Sequence, residues 1–229
     1  MKYLIVNGDD FGASHGNNRG ILEAHRRGIL TSTSLLVNAP CSQEAAELSR
    51  ATPDLSVGLH VDLLNELQEN NADSPRRRQQ ALREQFRRFE ELMGRRPTHI
   101  DSHHNVHRDP EVLPFFLELA HEHGLPLREH SPVRYFPNFY GQWDGKTHLE
   151  QISVENLGRM LETEINDGVT ELSCHPGYVD PEYPTGYSVE REAEVRTLCD
   201  PRIRRTLVEQ AIQLVSYHHF AKLVVGALA

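Results

Sequence analysis

Apolar residues recur along this chain in two alternating rhythms, short β-rich runs and longer stretches at helical spacing. Residues 3–6 form a short apolar run that breaks off in Asn7-Gly8-Asp9-Asp10-Phe11-Gly12, which predicts a buried strand delivering two carboxylates to a turn that Gly8 and Gly12 loosen. Residues 17–28 carry Ile21, Leu22 and Ala24 at helical spacing and stop at Gly28. Residues 31–37 read as a second strand, 43–49 as a second helix, and 55–63 as a third strand in which His60 has the opposite parity to Leu59 and Val61. The stretch 74–93 is a long amphipathic helix with Leu82, Phe86, Phe89 and Met93 on one face, after which a fourth strand reaches His103.

The alternation continues with a helix over 111–123 ended by Gly124, a fifth strand over 125–129, a helix over 156–166 and a sixth strand over 170–178. Residues 131–146 and 178–187 read as long loops, the first aromatic enough to cover a site. A last helix is predicted over 201–210, and both 212–217 and 222–225 qualify as the closing strand. This order favours a parallel sheet with right-handed crossovers. Asp9 and Asp10, His60, His103 and His175 each fall at or near the C-terminal end of a different predicted strand, where a β/α barrel gathers its reactive groups. An open doubly wound sheet would use a glycine-rich phosphate turn at one switch point, and the sequence has none. The expected fold class is therefore α/β, a TIM-barrel-like (β/α) barrel of about seven parallel strands, with one domain over 1–229.

Composition narrows the partners. A net charge of -9 argues against a nucleic-acid or anionic-membrane surface. The local basic clusters at 76–78, 87–88 and 202–205 fall in helical patterns and read as solvated faces. Cys41, Cys174 and Cys199 are scattered and odd in number, which fits a reducing compartment, and the absence of an export-like segment or an 18-residue apolar run makes the cytoplasm the expected location.

The chemistry concentrates in residues 99–107, His-Ile-Asp-Ser-His-His-Asn-Val-His. At most two or three of these imidazoles can ligate one ion, so His99 and His104 read as structural or supporting, while Asp101 and His103 share a face if the strand runs on. Adjacent carboxylates at Asp9 and Asp10 imply a nearby cation or one protonated partner, or else a helix cap with a solvated neighbour. His60 alone would read as structural, and His175 fits a fourth ligand, a general acid or a packed strand-end residue. One carboxylate and two neutral imidazoles around a divalent ion leave positions open for water and substrate, as in hydrolytic sites, and a second carboxylate can accept the water's proton. Imidazole donors favour Zn²⁺ or another transition ion.

Five segments, MKYLIVNGDDFGASHGNNRGI, TSTSLLVN, VGLHVDL, PTHIDSHHNVHRDP and LSCHPGYVD, occur in the order and spacing of the YdjC-like carbohydrate deacetylases, a family that includes chitooligosaccharide deacetylase and that the chain resembles over nearly its whole length. The resemblance implies a NodB-related, TIM-barrel-like hydrolase that removes the N-acetyl group of an amino sugar with one divalent metal ion, Mg²⁺ in the family. It implies Asp10, His60 and His103 as metal ligands, Asp9 or Asp10 as catalytic base, His175 as the donor of a proton to the leaving amine, and Arg128 as the group that orients the carboxylates. The chain departs from the family's usual DSHxHVH in carrying Asn105 at the middle position, and its polar loop at 64–75 is short for shaping a sugar groove. Tyr135, Phe136, Phe139, Tyr140 and Trp143 offer faces for a sugar ring or for packing. The expected partner is a small-molecule amino sugar, with a homodimer as the commonest assembly. Two other readings stand beside this one: a metal-dependent phosphate-ester hydrolase, for which Arg128 and Arg134 are the candidate phosphate clamp, and a non-catalytic metal- or carbohydrate-binding protein, to which Asp9 and His175 would be superfluous.

Overall fold

A computed structural model describes residues 1–68, 74–182 and 185–222. In chain order these residues form β1 (Lys2–Phe11), α1 (His15–Arg27), β2 (Ser32–Leu35), α2 (Ser42–Arg50), β3 (Ser56–Val61), α3 (Leu64–Gln68), α4 (Ser74–Met93), β4 (Ile100–Ser102), α5 (Leu113–His123), β5 (Arg134–Phe136), β6 (Gln142–Trp143), β7 (Lys146–Thr147), α6 (Val154–Thr163), β8 (Gly168–Cys174), α7 (Val189–Leu198), α8 (Pro201–Glu209) and β9 (Ile212–Leu214). A 3₁₀ segment, His103–Arg108, links β4 to the stretch before α5. Helix starts and stops follow local chemistry: Ser14 caps α1 by accepting from the Asn17 N–H, and Gly124 ends α5 in the left-handed conformation.

Seven strands form one curled parallel sheet in the order β4-β3-β2-β1-β8-β5, with β9 paired to the start of β1. β9 meets Lys2 to Leu4 of β1 and β2 takes over from Asn7, so the two share the edge opposite β8. The result is an open half-barrel, because no ladder joins β4 to β5 among the described residues. The expected fifth strand at 125–129 is the missing stave. It contributes a single bridge, Ile100 to Leu127, since Pro126 has no N–H to donate and Glu129 adopts a left-handed φ of 64°. The bridge nonetheless fixes Arg128, whose N–H donates to the Ile100 carbonyl (3.0 Å).

Three further expectations change. The first strand does not stop at residue 6 but carries Asp9 and Asp10 within it, with an irregular register between Gly8 and Phe11. The segment 131–146 holds β5 and the antiparallel hairpin β6–β7, whose Asp144-Gly145 tip has left-handed φ at both residues, the usual requirement of a two-residue hairpin turn. Helix α7 lies where no helix was expected, and its buried residues include Glu190, Arg191 and Glu194, so its inward face is charged and gives no apolar period. The closing strand is β9; residues 223–225 of the alternative lie outside the described residues, as do 69–73 of the polar loop and 183–184 of the second long loop.

The core is built as the apolar stripes foretell, with Leu82, Phe86, Phe89 and Met93 of α4 buried beside Phe11 and Phe116. One basic cluster departs from its solvated reading: Arg78 is buried and ion-paired with Glu111. No helix among the described residues is long and apolar enough to cross a membrane.

Candidate active site

Asp9 and Asp10 enter the same cavity because β1 is irregular where they sit. Regular alternation would send neighbours to opposite faces of the sheet. Asp10 instead has a φ of 66°, in the left-handed region an aspartate tolerates better than most residues, and both carboxylates line a cavity of about 340 Å³ together with His60, His103 and His175. A larger groove of about 1040 Å³ along α1 shares none of these residues.

Around Asp10 the arrangement is that of a cation cradle. Oδ1 lies 3.1 Å from His103 Nδ1 and 3.4 Å from His60 Nε2, and Oδ2 accepts from Arg191 Nη2 at 2.6 Å. Although two ring nitrogens surround it, Oδ1 is buried without a properly directed hydrogen bond. An oxygen left so, facing two imidazole nitrogens, is what a ligand set for a divalent ion looks like, and the three donor atoms lie within 4.8 Å of one another. Burial disfavours the charged form of Asp10, but Arg191 and the flanking histidines outweigh it and hold the carboxyl well below its ordinary range.

His60 is prepared for ligation from behind. It pairs across β3 and β4 with Asp101, and its Nδ1–H donates to Asp101 Oδ1 at 2.7 Å, which turns Nε2 toward Asp10. Burial opposes the protonated form, yet Asp101, Asp10 and Asp9 together raise the imidazole to about 10, so an arriving cation displaces a proton. An Asp101→Asn substitution is expected to weaken Zn²⁺ or Co²⁺ binding about 10–100-fold by releasing the His60 tautomer. Calorimetric titration checks it, and an unchanged affinity would refute the supporting role.

His103 opens the 3₁₀ segment, in which His104 and Asn105 both adopt left-handed φ (52° and 53°). Such strain persists only when anchored. The anchor is His107: the Ser102 hydroxyl accepts its main-chain N–H (3.0 Å) and lies 2.6 Å from Nδ1, while Nε2 meets Glu129 at 3.1 Å. His99 is buried and stacked on Tyr217 (4.0 Å), a packing role.

Asp9 is held differently. Arg128 grips it with two bonds, Nη1 to Oδ2 and Nη2 to Oδ1, both 2.8 Å, and Asn7 Nδ2 donates to Oδ1 at 2.8 Å. The same guanidinium reaches Asp101 (2.7 Å) and Glu171 (2.6 Å), and Tyr217 donates to Glu171 (2.6 Å). Burial raises the Asp9 carboxyl, but Arg128 overrides it and keeps the group ionised. Asp9, His60 and Asp101 also lie close enough to hold an ion, but both carboxylates are already committed to Arg128.

His175 Nε2 stands 3.9 Å from Asp9 Oδ2, and the rings of Tyr140 and Tyr187 meet its ring edge-on at 5.5 and 5.7 Å. Burial lowers its imidazole to about 4 against the pull of Asp9 and Asp10, so it is neutral at ordinary pH. Its main-chain N–H donates to Glu194, which also accepts from the Tyr187 hydroxyl. Burial outweighs those bonds and pushes the Glu194 carboxyl from an ordinary 4.5 up to about 8. Between those values the native state keeps a proton that the unfolded chain has released, so stability declines as pH rises through that window. In Glu194→Gln that contribution is expected to be lost, so the fall in Tm between about pH 5 and about pH 8 should be smaller than in wild type; an undiminished fall in paired thermal melts would refute it.

Among the sequence candidates, Tyr135 and Tyr140 line the cavity, whereas Phe136 and Phe139 are buried in the core and Trp143 stacks on His148 (3.6 Å). Arg134 bonds Thr170 and the Glu164 carbonyl, and Arg128 is taken up by three carboxylates, so both candidates for the clamp that a phosphate-ester hydrolase would need are engaged elsewhere. Sequence reasoning gave no role to Asn7, Glu171, Tyr187, Arg191 or Glu194. Only Asn7, adjoining the Gly-Asp-Asp run, had a visible signal.

Residues 3–209 match the model of the YdjC-like protein family. A carbohydrate deacetylase of Geobacillus stearothermophilus is 38% identical, the alignment covering 97% of this chain and 99% of that one. A chitooligosaccharide deacetylase of Yersinia enterocolitica is 34% identical over 94% of this chain and 98% of its own. Among solved structures, one from Enterococcus faecalis V583, solved under the name cellobiose-phosphate cleavage protein, superimposes with a TM-score of 0.81 at 28% identity, covering 96% of this chain and 98% of that one.

Proposed function

Because the chain belongs to the YdjC-like family, we propose that it is a metal-dependent carbohydrate deacetylase, hydrolysing the N-acetyl group of an amino sugar or short oligosaccharide and releasing acetate. The observation that carries this reading is the buried Asp10 Oδ1, unsatisfied by hydrogen bonds and flanked by His60 and His103, in a cavity that also receives Asp9 and His175. Asp10, His60 and His103 would hold the ion. One carboxylate oxygen and two imidazoles suit Zn²⁺ or another transition ion better than Mg²⁺, which prefers an all-oxygen shell. A divalent cation there supplies a Lewis acid that polarises the acetyl carbonyl and acidifies water.

The remaining steps belong to the chain. Asp9, ionised and fixed by Arg128, accepts a proton from the attacking water. His175, neutral at the outset, takes up that proton from Asp9 at Nε2 and passes it to the departing amine nitrogen, returning to its neutral form. Tyr140 and Tyr187, stacked at 4.8 Å, wall the cavity and present apolar rings to one sugar, in keeping with a volume near the lower end of ligand pockets. The three free cysteines fit the reducing cytoplasm as the site of action.

The test is acetate release from N-acetylglucosamine, diacetylchitobiose and longer oligomers, before and after chelation and with Zn²⁺, Co²⁺, Mn²⁺ or Mg²⁺ restored. Release that stops on chelation and returns with one ion is the expected result. Tight metal binding without acetate from any of these sugars would refute the substrate class.

A further inference from the structure

One guanidinium on α7 touches three parts of the site. Arg191 donates from Nη2 to Asp10 Oδ2 (2.6 Å), from Nη1 to the His175 carbonyl (3.3 Å) and from Nε to the Tyr187 carbonyl (3.0 Å). Its side chain is buried. We infer that Arg191 is a positioning residue that makes Asp10 a one-oxygen ligand, by occupying Oδ2 and leaving only Oδ1 open to a cation between His60 and His103. The inference rests on the metal reading above.

A carboxylate free to turn about its last bond can offer a cation one oxygen or two. Asp10 sits in left-handed backbone, which needs support from its surroundings. A planar guanidinium supplies that support in several directions at once, and here the other two are main-chain carbonyls on either side of the second long loop. The carboxylate's pose is thereby tied to the strand end that bears His175 and to the segment that bears Tyr187. A lysine has a point charge in place of the fork and would hold fewer of these contacts.

Electrostatics alone predicts the opposite outcome on removal. A fixed positive charge beside a divalent ion repels it, so if Arg191 acted by charge, its loss would tighten metal binding. If it acts by positioning, its loss weakens binding. The sign of the change separates the two.

The experiment is Co²⁺ titration of the full chain followed by visible absorption, for wild type, Arg191→Met and Arg191→Lys. Arg191→Met is expected to bind Co²⁺ about 10–100-fold more weakly, the range for losing a group that orients a ligand, with bands shifted as the carboxylate leaves its one-oxygen pose. Arg191→Lys should fall between. If Arg191→Met binds as tightly as wild type or tighter, with the wild-type spectrum, the inference is wrong; if that variant does not fold, a wild-type affinity and spectrum in Arg191→Lys overturns it equally. Wild-type protein that binds no Co²⁺ removes the metal reading and the inference with it, whereas Co²⁺ binding that weakens in the variants as expected, without acetate release from wild type, removes only the substrate class.

Discussion

An Arg128→Met variant is expected to be less stable than wild type by about 3–5 kcal/mol, the usual consequence of removing one partner from a buried ionic cluster. Arg128 is buried and bonded to Asp9, Asp101 and Glu171, and these carboxylates are themselves buried. Their low or contained proton affinity depends on that one cation: burial raises each of them, and Arg128 is the strongest opposing influence on all three. Without it, carboxylates crowd a dry space and must take up protons or let water in. Their folded-state pKa values then rise above those of the unfolded chain, so the variant's deficit should shrink as pH falls below the ordinary carboxylate range and widen as pH rises through it. Denaturant melts at several pH values measure both effects. At this chain length the loss amounts to roughly 10 °C in Tm. A melt within about 0.5 kcal/mol of wild type, as for ordinary surface substitutions, would show that Arg128 does not hold the cluster together.

The same cluster shows why part of the site was legible in the sequence and part was not. His60, His103 and the Asp9-Asp10 pair stand out because each breaks an apolar or turn pattern at a strand end, and the sheet order carries those ends to one rim. Asp101 is visible inside its histidine run, but its partner becomes known only when β3 and β4 are in register. Glu171 sits in the middle of β8, where a lone charge gives no hint of a mate 43 residues away at Arg128. Arg191 and Glu194 are hidden more thoroughly, since a helix that turns charge inward has no apolar stripe to announce it. The open edge of the half-barrel was obscured by a related cause. Leu125-Pro-Leu-Arg-Glu129 has the residue pattern of a strand, but a proline and a left-handed glutamate limit it to one bridge.

A His175→Ala variant should lose about 10²–10⁴-fold in kcat while keeping its affinity for the metal. The sequence left His175 open as a fourth ligand, a general acid or a packed residue, and the geometry favours the second: Nε2 faces Asp9 at 3.9 Å, and the clustered ligand atoms belong to Asp10, His60 and His103. Packing is also a poor account, because the ring borders the cavity and its Nδ1 has no hydrogen-bond partner. Its low imidazole pKa of about 4 means that the proton it donates must first arrive during the reaction, and Asp9, ionised and adjacent, is the group placed to relay it from water. An Asp9→Asn variant should therefore lose activity in the same step, and the double variant should be little worse than the worse single one, because residues acting as a unit are strongly non-additive. Added imidazole, small enough to enter the space left by His175→Ala, should restore part of the rate in that variant and none in Asp9→Asn. Weakened Co²⁺ binding in His175→Ala would instead make it a ligand, and multiplicative losses in the double variant would separate His175 from Asp9 in the proton path.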